Sequence, residues 1–364
     1  MKQRFIIIYI ALYIILGLNQ PIIAGASADN LFVEARGNYS VFMAHRSNLQ
    51  RYPNAHFGMY ELSIGKKVGG EQAWHSLYHY PNVGASFFYT GIGKNKYTGS
   101  AIASFAYIQF SYIRFKKSNI NFKLALGPGW VEKKFDRVSN YKNVVTGSHL
   151  NAAIQLTQSY QWQITTKQHL SVGICLTHFS NGAYKLPNLG LNLAGLQIAY
   201  HYNFNEKDLP AIDRPAFEPR IKYALAYSAG LKQVYPVLGN QYFLNNISAF
   251  AMYNYHEKGN AGIVLDVFKD ASVIHQMKFD TDSTNDNKTN IQLALGAVYE
   301  FEIGKFTIPM TAGFYAYNNY KVLPFMYLKF ALNYYITKHI NVSFSLKSHF
   351  AKADYFSYGL GYRF

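Results

Sequence analysis

Ala152-Ala153-Ile154-Gln155-Leu156-Thr157-Gln158-Ser159-Tyr160-Gln161-Trp162-Gln163-Ile164 alternates with a period of two from end to end. One side of an extended chain here carries Ile154, Leu156, Tyr160, Trp162 and Ile164. The other carries Gln155, Thr157, Ser159, Gln161 and Gln163. A helix would scatter both sets, whereas a strand separates them cleanly. The pattern recurs with Ile291, Leu293, Leu295, Ala297, Tyr299 and Phe301, and with Ile340, Val342, Phe344 and Leu346. It recurs again at the C-terminus, with Phe356, Tyr358, Leu360, Tyr362 and Phe364. Alternation sustained over roughly ten residues is long for a soluble strand and suits a tilted strand that crosses a bilayer. A secreted β-sandwich also alternates, but it buries both apolar faces between its sheets. Strand length, aromatic load and the terminal Phe364 weigh against it.

The expected fold is therefore all-β: a transmembrane, antiparallel, up-and-down outer-membrane barrel of about 14–16 strands. Alternating runs lie near 31–44, 55–67, 82–92, 99–116, 119–133, 147–164, 168–179 and 190–204. A second set lies near 220–231, 245–257, 260–270, 289–302, 306–317, 323–337, 340–351 and 355–364. Between the sets, 205–219 carries Pro210, Pro215 and Pro219 with several charges, unsuited to crossing lipid. It reads as a linker or a long periplasmic turn, dividing an eight-strand unit (29–204) from additional barrel strands (220–364). With both termini periplasmic, Thr165-Thr166-Lys167 and Ile303-Gly304-Lys305 become short inner turns, and the acidic stretch 271–288 becomes a long outer loop. A final strand ending in Phe364 resembles the signal by which barrel assembly machinery recognises such chains.

Composition agrees. Of 364 residues, 17% are aromatic and only 15% charged, which excludes a disordered chain or a coiled coil. Mean hydropathy is −0.09, and the longest apolar run, Ile6–Leu18, is too short to span a bilayer as a helix. Lys2 and Arg4 precede that run and small residues at Ala24–Ala28 follow it, so residues 1–28 read as a cleaved secretory signal. The single Cys175 allows no intrachain disulfide, and beside Gly173 and Thr177 it reads as a small core filler. The net charge of +16 in an exported chain without a nucleic-acid-binding motif points to an anionic, phosphate-rich lipid surface rather than to nucleic acid.

The stretch with chemical content is Leu176-Thr177-His178-Phe179-Ser180-Asn181-Gly182-Ala183-Tyr184-Lys185-Leu186-Pro187-Asn188-Leu189-Gly190-Leu191-Asn192. On a strand His178 and Ser180 share a face, and that face continues the lipid-side stripe Val172, Ile174, Leu176. Stepping back by twos along the return strand from Tyr200, Ile198 and Leu196 brings Ala194 and Asn192 onto the same outer surface. A polar group that interrupts a lipid-facing stripe is costly unless it lies at the interface or works there. Nucleophile, base and orienter is the arrangement that acyl transfer requires. The competing reading is an ordinary interfacial histidine at a barrel rim, since His-x-Ser alone is common. No close-spaced metal-ligand set and no glycine-rich phosphate loop occurs, so neither metal nor cofactor is expected.

His178-x-Ser180-Asn181 followed by Pro187-Asn188-x-Gly190-x-Asn192 resembles the signature of the PagL-type outer-membrane lipid A deacylases, the acyloxyacyl hydrolase-like family, over residues 30–204. Nothing in 205–364 resembles that family. The resemblance implies an eight-stranded barrel in the outer membrane of a Gram-negative bacterium. It also implies a serine esterase that removes a 3-O-linked hydroxyacyl chain from lipid A of lipopolysaccharide in the outer leaflet. By position Ser180 resembles the nucleophile, His178 the general base and Asn181 the residue implicated in oxyanion stabilisation. Asn192 stands where characterised members carry glutamate. An amide fixes an imidazole tautomer but does not neutralise an imidazolium. No acid occurs between Asp136 and Glu206, which leaves Glu61 as a distant substitute.

Ala44-His45-Arg46-Ser47-Asn48, with Pro53-Asn54 after it, repeats part of the motif but lacks the completing glycine and asparagine. Arg46 and Lys185 are candidates for binding a lipid phosphate, as is Arg51, with solvated loop charge as the alternative. The main rival function is a non-enzymatic, porin-like or structural barrel with a degenerate site. A phospholipase is a third reading.

Overall fold

The computed structural model describes residues 30–364 apart from 45, 51, 53–54, 93–95, 206–216, 282–288, 321 and 351. The expected signal segment, His45, Arg51, Pro53-Asn54 and most of the linker lie outside the described residues. The first half contributes β1 (Leu31–Phe42), β2 (Phe57–Lys67), β3 (Asn82–Thr90), β4 (Ala101–Arg114), β5 (Ser118–Val131), β6 (Leu150–Gln163), β7 (Gln168–Ser180) and β8 (Leu191–Asn203). The second contributes β9 (Arg220–Gln233), β10 (Gln241–His256), β11 (Gly259–Asp270), β12 (Ile291–Ile303), β13 (Phe306–Tyr317), β14 (Met326–Tyr335), β15 (Ile340–His349) and β16 (Lys352–Arg363).

Strand positions follow the period-two pattern closely, but closure does not follow a single ring. β8 pairs back onto β1, with Tyr202 opposite Val33 and Leu196 opposite Tyr39, before the chain reaches the proline-rich segment. β16 pairs back onto β9, with Leu360 opposite Tyr227. The sixteen strands thus form two closed antiparallel barrels of eight, each without a free edge. Eight strands enclose a space that side chains fill. The wide aqueous lumen that a sixteen-strand porin-like barrel would enclose is therefore not formed.

Each barrel turns its alternation inside out relative to a soluble protein. Tyr60, Leu62 and Ile64 of β2 stand exposed on the outer wall, whereas Glu61 and Ser63 are buried inside. In the first lumen Arg36 pairs with Glu34 at 2.6 Å and with Glu61 at 3.6 Å, while Lys123 also binds Glu61. Toward the end that carries the longer loops, the filling becomes apolar, with Met59, Phe88, Phe105, Phe179 and Leu193 packed together. The second lumen holds Lys222–Glu302 at 2.7 Å, Lys329–Asp266 at 3.2 Å and Lys232–Asp270 at 2.6 Å, beside a cavity of ≈ 50 Å³. Charges removed from water in these lumens are matched by partners, which is the condition for burying them.

Among the described residues, two short α-helices lie where loops were expected. Helix α1 (Ala73–Leu77) sits between β2 and β3, and helix α2 (Ala271–Thr281) opens the long loop after β11. Val273 and Met277 of α2 pack against Tyr320. The barrels touch at both ends. At the short-turn end, Tyr78 Oη donates to the Glu302 carbonyl at 2.8 Å, and the Trp74 indole lies against Gly304. Burial pushes the Tyr78 phenol well above its usual range. At the long-loop end the β7–β8 loop meets the second barrel.

Candidate active site

The last turns of β7 and β8 position the site. On β7, Val172, Ile174 and Leu176 face outward and are exposed, while Cys175, Thr177 and Phe179 are buried inside. Strand periodicity then puts His178 and Ser180 outside. On β8, Leu196, Ile198 and Tyr200 are exposed outward, which carries Asn192 to the same surface. The register places His178 directly opposite Asn192. Cys175 is a buried lumen filler whose Sγ lies 3.6 Å from Thr177 Oγ1.

His178 Nδ1 donates to Asn192 Oδ1 at 2.5 Å. This holds the ring in the tautomer whose Nε2 carries the lone pair, which a base requires. Gly190 has φ +82°, and a Cβ there would lie 2.6 Å from His178 Cε1 and 3.4 Å from Nε2. Only glycine meets both the backbone and the space requirement.

Ser180 ends β7 and is nearly buried. Asn188 straddles its hydroxyl: Nδ2 donates to Oγ at 2.9 Å, and Oγ donates to Oδ1 at 3.3 Å. The Gly182 N–H also donates to Ser180 Oγ, at 3.2 Å. Two donors on this oxygen favour the negative charge that a serine gains as it loses its proton. Asn181 is committed elsewhere. Its Nδ2 donates to Ser148 Oγ at 2.8 Å and to the Lys185 carbonyl at 2.9 Å, and its N–H donates to Asn188 Oδ1 at 3.0 Å. In this conformation it braces the loop rather than pointing a free amide at the reacting centre.

The other sequence-derived residues fall unevenly. Lys185 is exposed on the site loop itself. Arg46 is exposed just before a 3-10 helix, Ser47–Leu49, in a segment whose Met43 N–H donates to the Asn192 carbonyl at 2.9 Å. Ser47 is exposed in that helix. Glu61 is not a substitute acid: it is sealed inside the first barrel with Lys123 and Arg36, through the wall from His178. Asn188 was visible only as part of a Pro-Asn motif without a role. Its grip on Ser180 depends on loop geometry that spacing does not reveal.

Residues 58–201 match the family described as lipid A 3-O-deacylase (PagL), and residues 221–364 match the acyloxyacyl hydrolase C-terminal domain. The second match extends the family relationship beyond the residue-204 limit suggested by the motif. No curated protein matches the chain. Among solved structures, Neisserial surface protein A is 13% identical, covering 50% of this chain and 99% of its own, with a TM-score of 0.34. A Rhodopseudomonas blastica porin variant is 9% identical, covering 92% of this chain and 99% of its own, with a TM-score of 0.18.

Proposed function

We propose a hydrolytic role for Ser180 on one premise: the chain belongs to the PagL lipid A 3-O-deacylase family. The reaction is hydrolysis of an ester that holds a 3-O-linked hydroxyacyl chain on lipid A, in the outer leaflet of a Gram-negative outer membrane. Ser180 Oγ attacks the ester carbonyl, and its proton passes to His178 Nε2. The tetrahedral intermediate collapses as the C–O bond to the sugar breaks, and His178 returns the proton to that oxygen. Water then attacks the acyl-serine with His178 again as base, and the hydroxy fatty acid leaves. Asn188 Nδ2 and the Gly182 N–H are the donors held on Ser180 Oγ, and Asn181 supports them by bracing the loop. Asn192 sets the imidazole tautomer. Lys185 and Arg46 are the cations for the substrate's phosphates, and Phe364 is the residue that engages the assembly machinery.

The observation that carries this proposal is the His178–Asn192 hydrogen bond on the lipid-facing wall, with Ser180 two residues along the same face. Ser180→Ala should leave the barrels folded, as judged by heat-dependent gel mobility. It should lower fatty-acid release from purified lipopolysaccharide by about 10³-fold or more. Equal release by variant and parent would remove Ser180 from the mechanism.

One feature favours a second reading, a structural barrel with a degenerate site: Asn192 supplies no negative charge to the imidazolium. Release no faster from the parent protein than from Ser180→Ala would favour it. A phospholipase activity would be recognised by release of non-hydroxylated acyl chains.

A further inference from the structure

The loop from Asn181 to Gly190 is not self-supporting. Gly182 and Ala183 both have positive φ, +59° and +58°, and alanine adopts that region only when its surroundings hold it there. The first barrel grips the loop from one side, where the Leu189 and Gly190 N–H groups donate to the Val144 and Val145 carbonyls at 3.2 and 3.0 Å. The other side is gripped by the second barrel. The Gln233 N–H, at the end of β9, donates to the Ala183 carbonyl at 2.8 Å. Gln233 Oε1 accepts the Leu186 N–H at 2.7 Å. Gln241 Nε2 donates to the Tyr184 carbonyl at 2.8 Å. The Phe356 ring of β16 lies against Gly182 and fills the space that a Cβ there would occupy.

We propose that the second barrel is a positioning partner of the Ser180 site, with Gln233 as its principal positioning residue and Phe356 as a wall. The proposal rests on the esterase reading above. Gln233 brackets residues 183–186 by its backbone and its side chain, and Phe356 fixes Gly182, whose N–H lies on the nucleophile. Gln233 is itself nearly buried and locked, because its Nε2 donates to the Gly239 carbonyl at 2.6 Å. The second barrel thereby sets the aim of a nucleophile in its neighbour. Small displacements of a reacting group are costly in rate even when substrate binding is unchanged.

The test uses the full-length chain in detergent with purified lipopolysaccharide, comparing the parent with Ser180→Ala, Gln233→Leu, Gln233→Glu and Phe356→Ala. Heat-dependent gel mobility reports that both barrels remain folded. Gln233→Leu keeps the bulk but accepts no hydrogen bond, and it should lower kcat about tenfold with KM within twofold. Gln233→Glu keeps the acceptor for Leu186 N–H but loses the donor to the Gly239 carbonyl, so it should recover only part of that loss. Phe356→Ala should lower kcat by a few-fold. If Ser180→Ala abolishes release while Gln233→Leu and Phe356→Ala match the parent, the positioning role is overturned and the esterase stands. A rise in KM alone also overturns it. If Ser180→Ala retains full release, the esterase reading itself fails.

Discussion

The seventh strands of the two barrels, β7 and β15, end in opposite ways. β7 finishes with His178 outside, bonded to Asn192, and a long loop whose Asn188 holds Ser180. β15 finishes with His349 inside, where Nε2 lies 2.9 Å from Tyr315 Oη and Nδ1 is 3.8 Å from Asp354. Only two residues separate it from β16. In a strand the side of the wall is decided by parity, so the same residue type stands on the outer wall in one barrel and fills the lumen in the other. Architecture is shared, whereas the strand ends differ in which face a histidine takes and in whether a long loop is present to hold the last residue of the strand.

Several substitutions sharpen or break this contrast. The largest difference is expected between the two histidines. His178→Ala should reduce fatty-acid release by about 10³-fold or more, whereas His349→Ala should stay within twofold of the parent in the same assay. Comparable losses in both would erase the distinction between the barrels. Gly190→Ala drives a methyl into the His178 ring and a side chain into positive φ. It should cost about 100-fold in kcat while the barrel stays folded by gel mobility. Near-parental kcat would show that the imidazole tolerates displacement. Asn192→Glu restores a charge able to pair with the imidazolium and should raise kcat about tenfold, whereas Asn192→Ala should lower it by a similar factor. A fall in kcat with glutamate would mean that the site has adapted to a neutral partner.

The strands were legible because lipid outside and packed polar side chains inside force strict alternation. Glu61 shows how far that logic reaches: its neighbours Tyr60 and Leu62 face lipid, so parity alone sends it inward and away from His178. Closure was not legible, because the pairing of β8 with β1 and of β16 with β9 joins residues far apart in sequence that no local pattern links. Helix α2 was obscured by acidic surroundings, although Val273, Ile274 and Met277 stand at helical spacing against Tyr320 and Leu323. At the site, the shared face of His178, Ser180 and Asn192 follows from periodicity. The grips of Asn188 and Gln233 do not, because irregular loops carry no period and Gln233 belongs to another barrel.

The most direct measurement is the mass spectrum of lipid A from Gram-negative cells that make this chain, beside cells that make its Ser180→Ala form. With the parent, lipid A should lose the mass of one hydroxyacyl group, and with the variant it should keep its full set of chains. An unchanged spectrum with the parent, or the same loss with both, would contradict a lipid-facing serine esterase at the end of β7.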